Sequence, residues 1–210
     1  MKTLRPEEYA NLNLKEVLGR TKIDEESIHD ARVSLRKYYD VLTSLYPVYE
    51  NSECAFISNE IIGNLGRIRD MDICGSRDRR RDELAYDTIK KFKRLKICFL
   101  PRKIYGSRLL LFTRIYNLYK LIPQLHDFHE IRKRVRIIRN LAEALGYSSQ
   151  EIKIIAKKMG DVRDNTLKME CNGLTPPEIN VNIYKEEALR AITRIIKGQE
   201  EFHYRFINLE

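Results

Sequence analysis

Histidine and arginine recur at the same spacing in two segments that lie one hundred residues apart. The matching residues are His29, Arg32 and Arg36 in the first segment and His129, Arg132 and Arg136 in the second. An acidic residue follows each histidine. Arginine has a rigid fork of N–H donors that fits phosphate oxygens, and histidine adds a donor that strengthens on protonation. The pattern predicts an anion site built from two copies of one unit.

A second pair of matching segments follows the first. Residues 65–70 read LGRIRD, and residues 159–164 read MGDVRD. The two pairs occur in the same order along the chain, which indicates an internal duplication.

The basic residues form a stripe if each segment is helical. At about 100° per residue, Arg32 and Arg36 lie within about 60° of His29, and the second copy, which includes Arg139, covers an arc of about 80°. The stripe has nearly the same period as an apolar heptad seam beside it, which begins at Ile28 in the first copy and at Phe128 in the second. The stripe therefore stays next to the core.

Closely spaced cations beside a core require a neutralising partner, because like charges one or two turns apart repel. Asp70, Asp72 and Asp164 could each hold one arginine, but they are too few for the whole set. A solvated charged face is the alternative. We predict that a polyanion is bound by His29, Arg32, Arg36, Lys37, Arg69, Lys90, Arg94, Arg108, His129, Arg132, Arg136, Arg139 and Arg163.

The elements that must position these residues are helices, since strand signals are nearly absent. Proline or glycine ends several of them, at Pro47, Pro101, Pro123 and Gly146. The sequence predicts an all-α fold of two four-helix bundles in two related halves, about 1–123 and 124–210. Apart from the second-copy helix that ends at Gly146, the predicted helices are about 7–18, 24–46, 53–74, 82–99, 107–122, 148–170 and 184–206.

Composition favours an anionic partner. The chain has 210 residues and a formal net charge of +9. The charge is concentrated: residues 67–108 hold fourteen Lys and Arg against six Asp and Glu, and residues 129–139 hold five against one. Nucleic acid, polyphosphate or an acidic surface would each suit such zones.

The cysteines and the hydropathy pattern indicate a reduced, soluble, cytoplasmic protein. The four cysteines are scattered and form no C-x-x-C pair, so neither a zinc site nor a redox dithiol is predicted. The N-terminus lacks the apolar region of a secretory signal. No apolar run approaches the ~20 residues needed to cross a bilayer, so no membrane partner is expected.

Catalytic patterns are weak. His29-Asp30 suggests an HD-type metal phosphohydrolase, but that site needs histidines further upstream, and His29 is the first in the chain. His126 and His129 have ligand-like spacing without a convincing carboxylate. The sequence has no Gly-rich phosphate loop and no G-x-S-x-G motif. We therefore expect no catalytic residues, no metal and no cofactor.

At these residues the chain resembles the conserved-histidine α-helical domain (CHAD) family over nearly its whole length. The resemblance implies two four-helix bundles related by a pseudo-two-fold axis, with a basic groove or pore that binds inorganic polyphosphate and no catalytic activity. Tyr39 and residues 163–165 depart from the family pattern. No E-x-E-x-K motif occurs, so a fused triphosphate-tunnel domain is not expected. The matching motifs are His29-Asp30-x-Arg32 with Arg36-Lys37, Leu65-Gly66-x-x-Arg69-Asp70-x-Asp72, His129-x-x-Arg132 with Arg136 and Arg139, and Met159-Gly160-Asp161-x-x-Asp164.

Three functional hypotheses remain, in a definite order. The first is non-enzymatic binding of inorganic polyphosphate in the cytoplasm, including association with polyphosphate granules. The second is binding of RNA or another nucleic acid, for which Tyr38, Tyr39 and Tyr116 are the candidate stacking residues. A metal-dependent phosphohydrolase is third.

Overall fold

The computed structural model describes residues 4–76, 78–147 and 150–198. In these ranges the protein consists of helices without a β-strand, so the predicted all-α class is confirmed. Two 3₁₀ segments, Phe92–Ile97 and Ile122–Gln124, accompany the α-helices. The α-helices are α1 Pro6–Leu18, α2 Glu25–Ser44, α3 Ser52–Ile73, α4 Arg79–Lys91, α5 Ser107–Leu121, α6 Phe128–Leu145, α7 Gln150–Cys171 and α8 Val181–Ile196.

The helix boundaries follow local capping chemistry. The side chain of Asp24 accepts a hydrogen bond from the backbone N–H of Ser27, which confirms the predicted start of α2. Asp127 begins α6 in the same way, by accepting from the N–H of Glu130 at 2.7 Å. Gly146 ends α6 with a φ of 91°, a conformation that glycine adopts without a steric penalty.

Two predicted helices differ from those observed. The helix predicted for residues 82–99 begins earlier, at Arg79, because Asp78 caps it, and after Lys91 it tightens into the 3₁₀ segment. The final helix begins at Val181 and extends to Ile196. The part predicted for residues 199–206 lies outside the described residues, as do positions 148 and 149 of the predicted start of α7.

The core is formed where successive helices pack on one another. α2 packs extensively on α1 and α3 and also contacts α6, while α5 packs chiefly against α6. The predicted seam of α2 is buried at Ile28, Leu35 and Leu42. In α6 the seam residue Val135 is fully buried, whereas Phe128 is only partly buried. Within the described ranges, none of the helices combines the length and the apolar character needed to span a bilayer.

All four cysteines are paired, which differs from the expectation of free thiols. Cys54 is bonded to Cys98, and Cys74 is bonded to Cys171. The second disulfide joins the carboxyl ends of α3 and α7, because Cys74 directly follows α3 and Cys171 is the last residue of α7. Sequence spacing did not reveal these pairs, since each joins residues that only tertiary folding brings together.

Candidate polyanion-binding site

Contact between α2 and α6 brings four arginines together. They are Arg32 and Arg36 on α2 and Arg132 and Arg136 on α6, and we call them the arginine cluster. Their side chains are partly buried, and in each of them the Nε atom is buried without a hydrogen-bond partner. None of the four forms a salt bridge or a hydrogen bond with a described residue. The arginines of the two basic stripes therefore meet where α2 packs on α6.

Nearby carboxylates only partly offset the positive charge of the cluster. Burial lowers the pKa of all four arginines, and their mutual repulsion lowers that of Arg36 further, through Arg32, Arg136 and Arg132. Asp40 raises the pKa of Arg36 and Arg136, and Asp70 raises that of Arg32 and Arg132. A guanidinium hardly ever loses its proton in a protein. The cost, chiefly of burial and at Arg36 also of stored repulsion, therefore remains in the free protein, and a bound anion would reduce it.

At one end of the cluster, carboxylates from the other helix hold two of the predicted ligands. Arg163 on α7 donates a hydrogen bond to Asp70 on α3, and Arg69 on α3 lies 3.7 Å from Asp164 on α7. Arg69 also pairs with Glu25. The two cross-helix pairs are reciprocal, because the Arg-Asp dipeptide at 69–70 contacts the one at 163–164.

At the opposite end, α2 and α6 meet through a polar pair that sequence reasoning missed. The amide of Asn140 donates a hydrogen bond of 2.7 Å to Asp40, and both side chains are buried. Burial raises the pKa of Asp40, against the opposing effects of Arg136 and Asn140. Asp40 and Asn140 are one hundred positions apart, the same offset as the basic residues, and that offset is the signal that could have found them.

Lys37 and Arg139 are neutralised within the protein. The Nζ of Lys37 lies 3.0 Å from Glu143, and the Nε of Arg139 lies 3.9 Å from the same carboxylate. Tyr9 donates a third contact to Glu143 at 2.9 Å. Burial opposes ionisation, but these partners lower the pKa of Glu143. These two predicted ligands thus have an internal counter-charge that the arginine cluster lacks.

His29 and His129 lie near the amino-terminal ends of α2 and α6 and are exposed. Partial desolvation lowers the pKa of both imidazoles below the usual value of 6.5; Arg69 adds to the effect at His29, and Arg132 does so at His129. Both are therefore neutral at neutral pH in the free protein, and each can gain a proton when an anion is bound.

We predict that polyanion affinity rises as pH falls. A bound anion offsets the nearby arginines and raises the histidine pKa values, so binding takes up protons below about pH 6.5. Protonation of each histidine should raise the affinity for the polyanion by up to roughly tenfold between about pH 7.5 and 5.5. The free energy of unfolding of the free protein should fall as pH drops below about 6.5. The reason is that the histidine pKa values are lowered in the folded state, so the unfolded state binds protons more readily. Titration of the His29→Gln/His129→Gln variant with polyanion at several pH values checks this. If the affinity of the variant still rises as steeply as that of the wild type when pH falls, the histidines do not have the assigned role.

Three predicted ligands are engaged elsewhere. Lys90 pairs with Asp87, and Arg94 pairs with Glu60 at 3.0 Å. Arg108 donates a 2.8 Å hydrogen bond to the carbonyl of Leu145, at the carboxyl end of α6 and several turns from Arg136. The structure does not bring any of the three to the arginine cluster.

Gly66 allows α3 to approach the cluster closely. A Cβ atom there would lie 3.4 Å from the Nη2 of Arg32, whereas the matching Gly160 has open space. Gly66 and Gly160 occupy matching positions in the sequence but not equivalent surroundings, because only Gly66 lies close to an arginine of the cluster.

Asp72 has a structural role and does not restrain the stripe as the sequence suggested. It accepts two hydrogen bonds from Arg81, at 2.8 and 3.2 Å, and both side chains are almost completely buried. Arg81 also donates to the carbonyl of Ile23. Arg81 was hidden in a basic run of the sequence, and its pairing fixes α4 to α3.

In the described part of the chain, no three His, Cys, Asp or Glu residues are grouped to hold a metal ion.

No protein-family model, curated protein or solved structure matched the chain.

Proposed function

We propose that this protein binds inorganic polyphosphate without catalysing a reaction, and that the arginine cluster is the centre of the site. One observation carries the proposal: four partly buried arginines converge from two helices, and none forms a salt bridge or a hydrogen bond with a described residue. Phosphate oxygens would accept from their guanidinium groups in charge-assisted hydrogen bonds. The bound anion would also relieve the repulsion among the arginines.

The arrangement suits an extended anion better than a compact one. Arg32 and Arg36 are one helical turn apart on α2, and Arg132 and Arg136 repeat this on α6. The rise of about 1.5 Å per residue separates the two in each pair by roughly 6 Å along the helix axis. A linear chain of phosphates presents charge at every unit and can contact all four groups in succession.

Internal duplication accounts for the convergence. We propose two groups of four helices, α1–α4 and α5–α8, related by a pseudo-two-fold axis with a basic groove or pore between them. The reciprocal contacts of the two Arg-Asp dipeptides support this, since such an axis makes each contact occur twice. The Asp40–Asn140 pair fits a position on the axis. The packing of α5 on α6 moves the proposed boundary from residue 123 to a point before α5.

Membership of the CHAD family follows as part of the same proposal. The four motifs that carry the resemblance occur in order. The first and third of them contain the four residues of the arginine cluster. A cytoplasmic location, including association with polyphosphate granules, remains a prediction. It requires the two disulfides to persist in a compartment where structural disulfides are rare.

Calorimetric titration with polyphosphate, RNA and a nucleoside triphosphate at matched salt tests the function. We expect polyphosphate to bind most tightly and to displace RNA. Of the three candidate stacking residues, Tyr38 is buried, donates to the carbonyl of Cys98 and cannot stack on a base, and Tyr116 lies on the outward side of α5. Affinity should fall steeply with salt. Tighter binding of RNA, or phosphate release with Mg²⁺ or Mn²⁺ present, would reject the proposal.

A further inference from the structure

A second basic surface follows the chain from the 3₁₀ segment Phe92–Ile97 through α5. Residues 88–126 contain ten lysines and arginines and no aspartate or glutamate. Four of these cations are engaged in the contacts of Lys90, Lys91, Arg94 and Arg108. The other six form no salt bridge with a residue that the structure describes, and they are Lys93, Lys96, Arg102, Lys103, Arg114 and Lys120.

Large apolar side chains are exposed among these cations. Ile97, Tyr105 and Leu109 are 67%, 76% and 69% exposed, and Phe99 and Tyr116 are each nearly 40% exposed. Leaving large apolar side chains in contact with water is unfavourable, and a group of them on the surface often marks a binding face. Lys103 and Lys120 lie over the rings of Tyr105 and Tyr116, at 4.1 and 4.5 Å. We call the five apolar residues and the six cations named above, except Arg114, the α5 surface, because Arg114 lies about 140° round the helix from Leu109.

The geometry of α5 places this surface away from the arginine cluster. Leu109, Tyr116 and Lys120 share the outward side of the helix, within about 40° at 100° per residue. Leu111 and Ile115 lie on the opposite side and are fully buried. α2 and α6 contact α5 on that buried side. Leu109, Tyr116 and Lys120 therefore lie on a different side of α5 from the arginine cluster.

The loop that leads into α5 is held firmly. Asn11 donates to the carbonyl of Leu100 at 2.9 Å and accepts from its N–H at 2.8 Å. The buried carboxylate of Glu7 accepts from the N–H of Ile104 at 2.7 Å. Tyr105 follows directly and is exposed. The loop presents its apolar residues on a fixed backbone, which lowers the entropy lost on binding.

We propose that the α5 surface docks onto an anionic lipid bilayer. Unpaired cations attract the negative headgroup layer, and the apolar side chains enter the boundary of the hydrocarbon. Aliphatic residues such as Ile97 and Leu109 gain from hydrocarbon but cannot stack on bases, which favours lipid over nucleic acid. The acid-free charge also opposes self-association. The sequence predicted no membrane partner because no segment spans a bilayer, but surface binding needs no span.

Vesicle sedimentation tests the proposal. We expect the protein to bind vesicles of phosphatidylcholine with phosphatidylglycerol and not those of phosphatidylcholine alone. Ile97→Ser/Leu109→Ser should bind at least about tenfold more weakly, because both apolar insertions are lost. The matched control Ile154→Ser/Ile183→Ser removes two exposed isoleucines on α7 and α8 and should bind normally. Equal binding by the two variants, or no preference for the anionic vesicles, overturns the proposal.

Fluorescence provides a second readout, since the chain has no tryptophan. Tyr105→Trp should shift its emission to shorter wavelength on anionic vesicles, and Ile154→Trp on α7 should not. Arg32→Ala/Arg132→Ala should keep vesicle binding, so this test is separate from that of polyphosphate binding. An unshifted Tyr105→Trp spectrum, loss of vesicle binding in the arginine variant, or displacement from vesicles by RNA at matched salt each overturns lipid docking.

Discussion

Replacing Arg32 and Arg132 together with alanine should lower the affinity for polyphosphate by at least about 100-fold. Each arginine can donate charge-assisted hydrogen bonds worth about 1.5–3 kcal/mol, and tenfold in affinity corresponds to about 1.4 kcal/mol. The two residues come from different helices, so both sides of the site are weakened. Titration calorimetry measures the loss directly.

A charge-matched control separates the site from general attraction. Arg79→Ala/Arg194→Ala removes the same two charges from exposed positions, where each arginine pairs with a surface carboxylate. Its affinity should fall only a few-fold, as screened long-range charge predicts. Similar affinities in the two double variants would mean that the arginine cluster is not the binding site.

Arg36→Met should make the free protein more stable while weakening its response to ligand. Arg36 is partly buried and repelled by Arg32, Arg136 and Arg132, and it has no paired carboxylate. Replacing an uncompensated, half-buried charge with an apolar side chain of similar length should raise the free energy of unfolding by about 1–3 kcal/mol. Urea unfolding without ligand measures the change.

Lys37→Met is a matched control one residue away, with the opposite expected sign. It removes the same charge, but Lys37 lies 3.0 Å from Glu143 and its loss leaves that half-buried carboxylate with a more distant partner. This variant should lose about 1–3 kcal/mol. Polyphosphate should stabilise the wild type more than Arg36→Met, because ligand stabilisation grows with affinity. Destabilisation of the free protein by Arg36→Met would refute the stored repulsion.

Local signals made the helices, and the position of each basic stripe beside its apolar seam, predictable. Asp24 and Gly146 mark helix ends because their capping contacts lie within a few residues. The basic stripes could be placed beside the core since they share the period of the seams. That the two stripes face each other was implied only by the internal symmetry and the resemblance to the CHAD family, and the packing of α2 on α6 brings their arginines together.

The neutralisation of individual cations was not predictable, because it depends on distant parts of the chain. Lys37 and Arg139 resemble Arg36 and Arg136 in sequence, yet Glu143 lies beside only the former pair. The burial of Arg81 against Asp72 and the pairing of the cysteines arise in the same way. Only the structure therefore shows which of the basic residues have a carboxylate partner and which do not.

A crystal structure of the protein with a short linear polyphosphate is the most direct test of the arginine cluster. The proposed function predicts a continuous chain of phosphates between α2 and α6, with oxygens within hydrogen-bond distance, about 3 Å, of the guanidinium groups of Arg32, Arg36, Arg132 and Arg136. Phosphates bound only at other surfaces, with the four arginines still unpartnered, would contradict it.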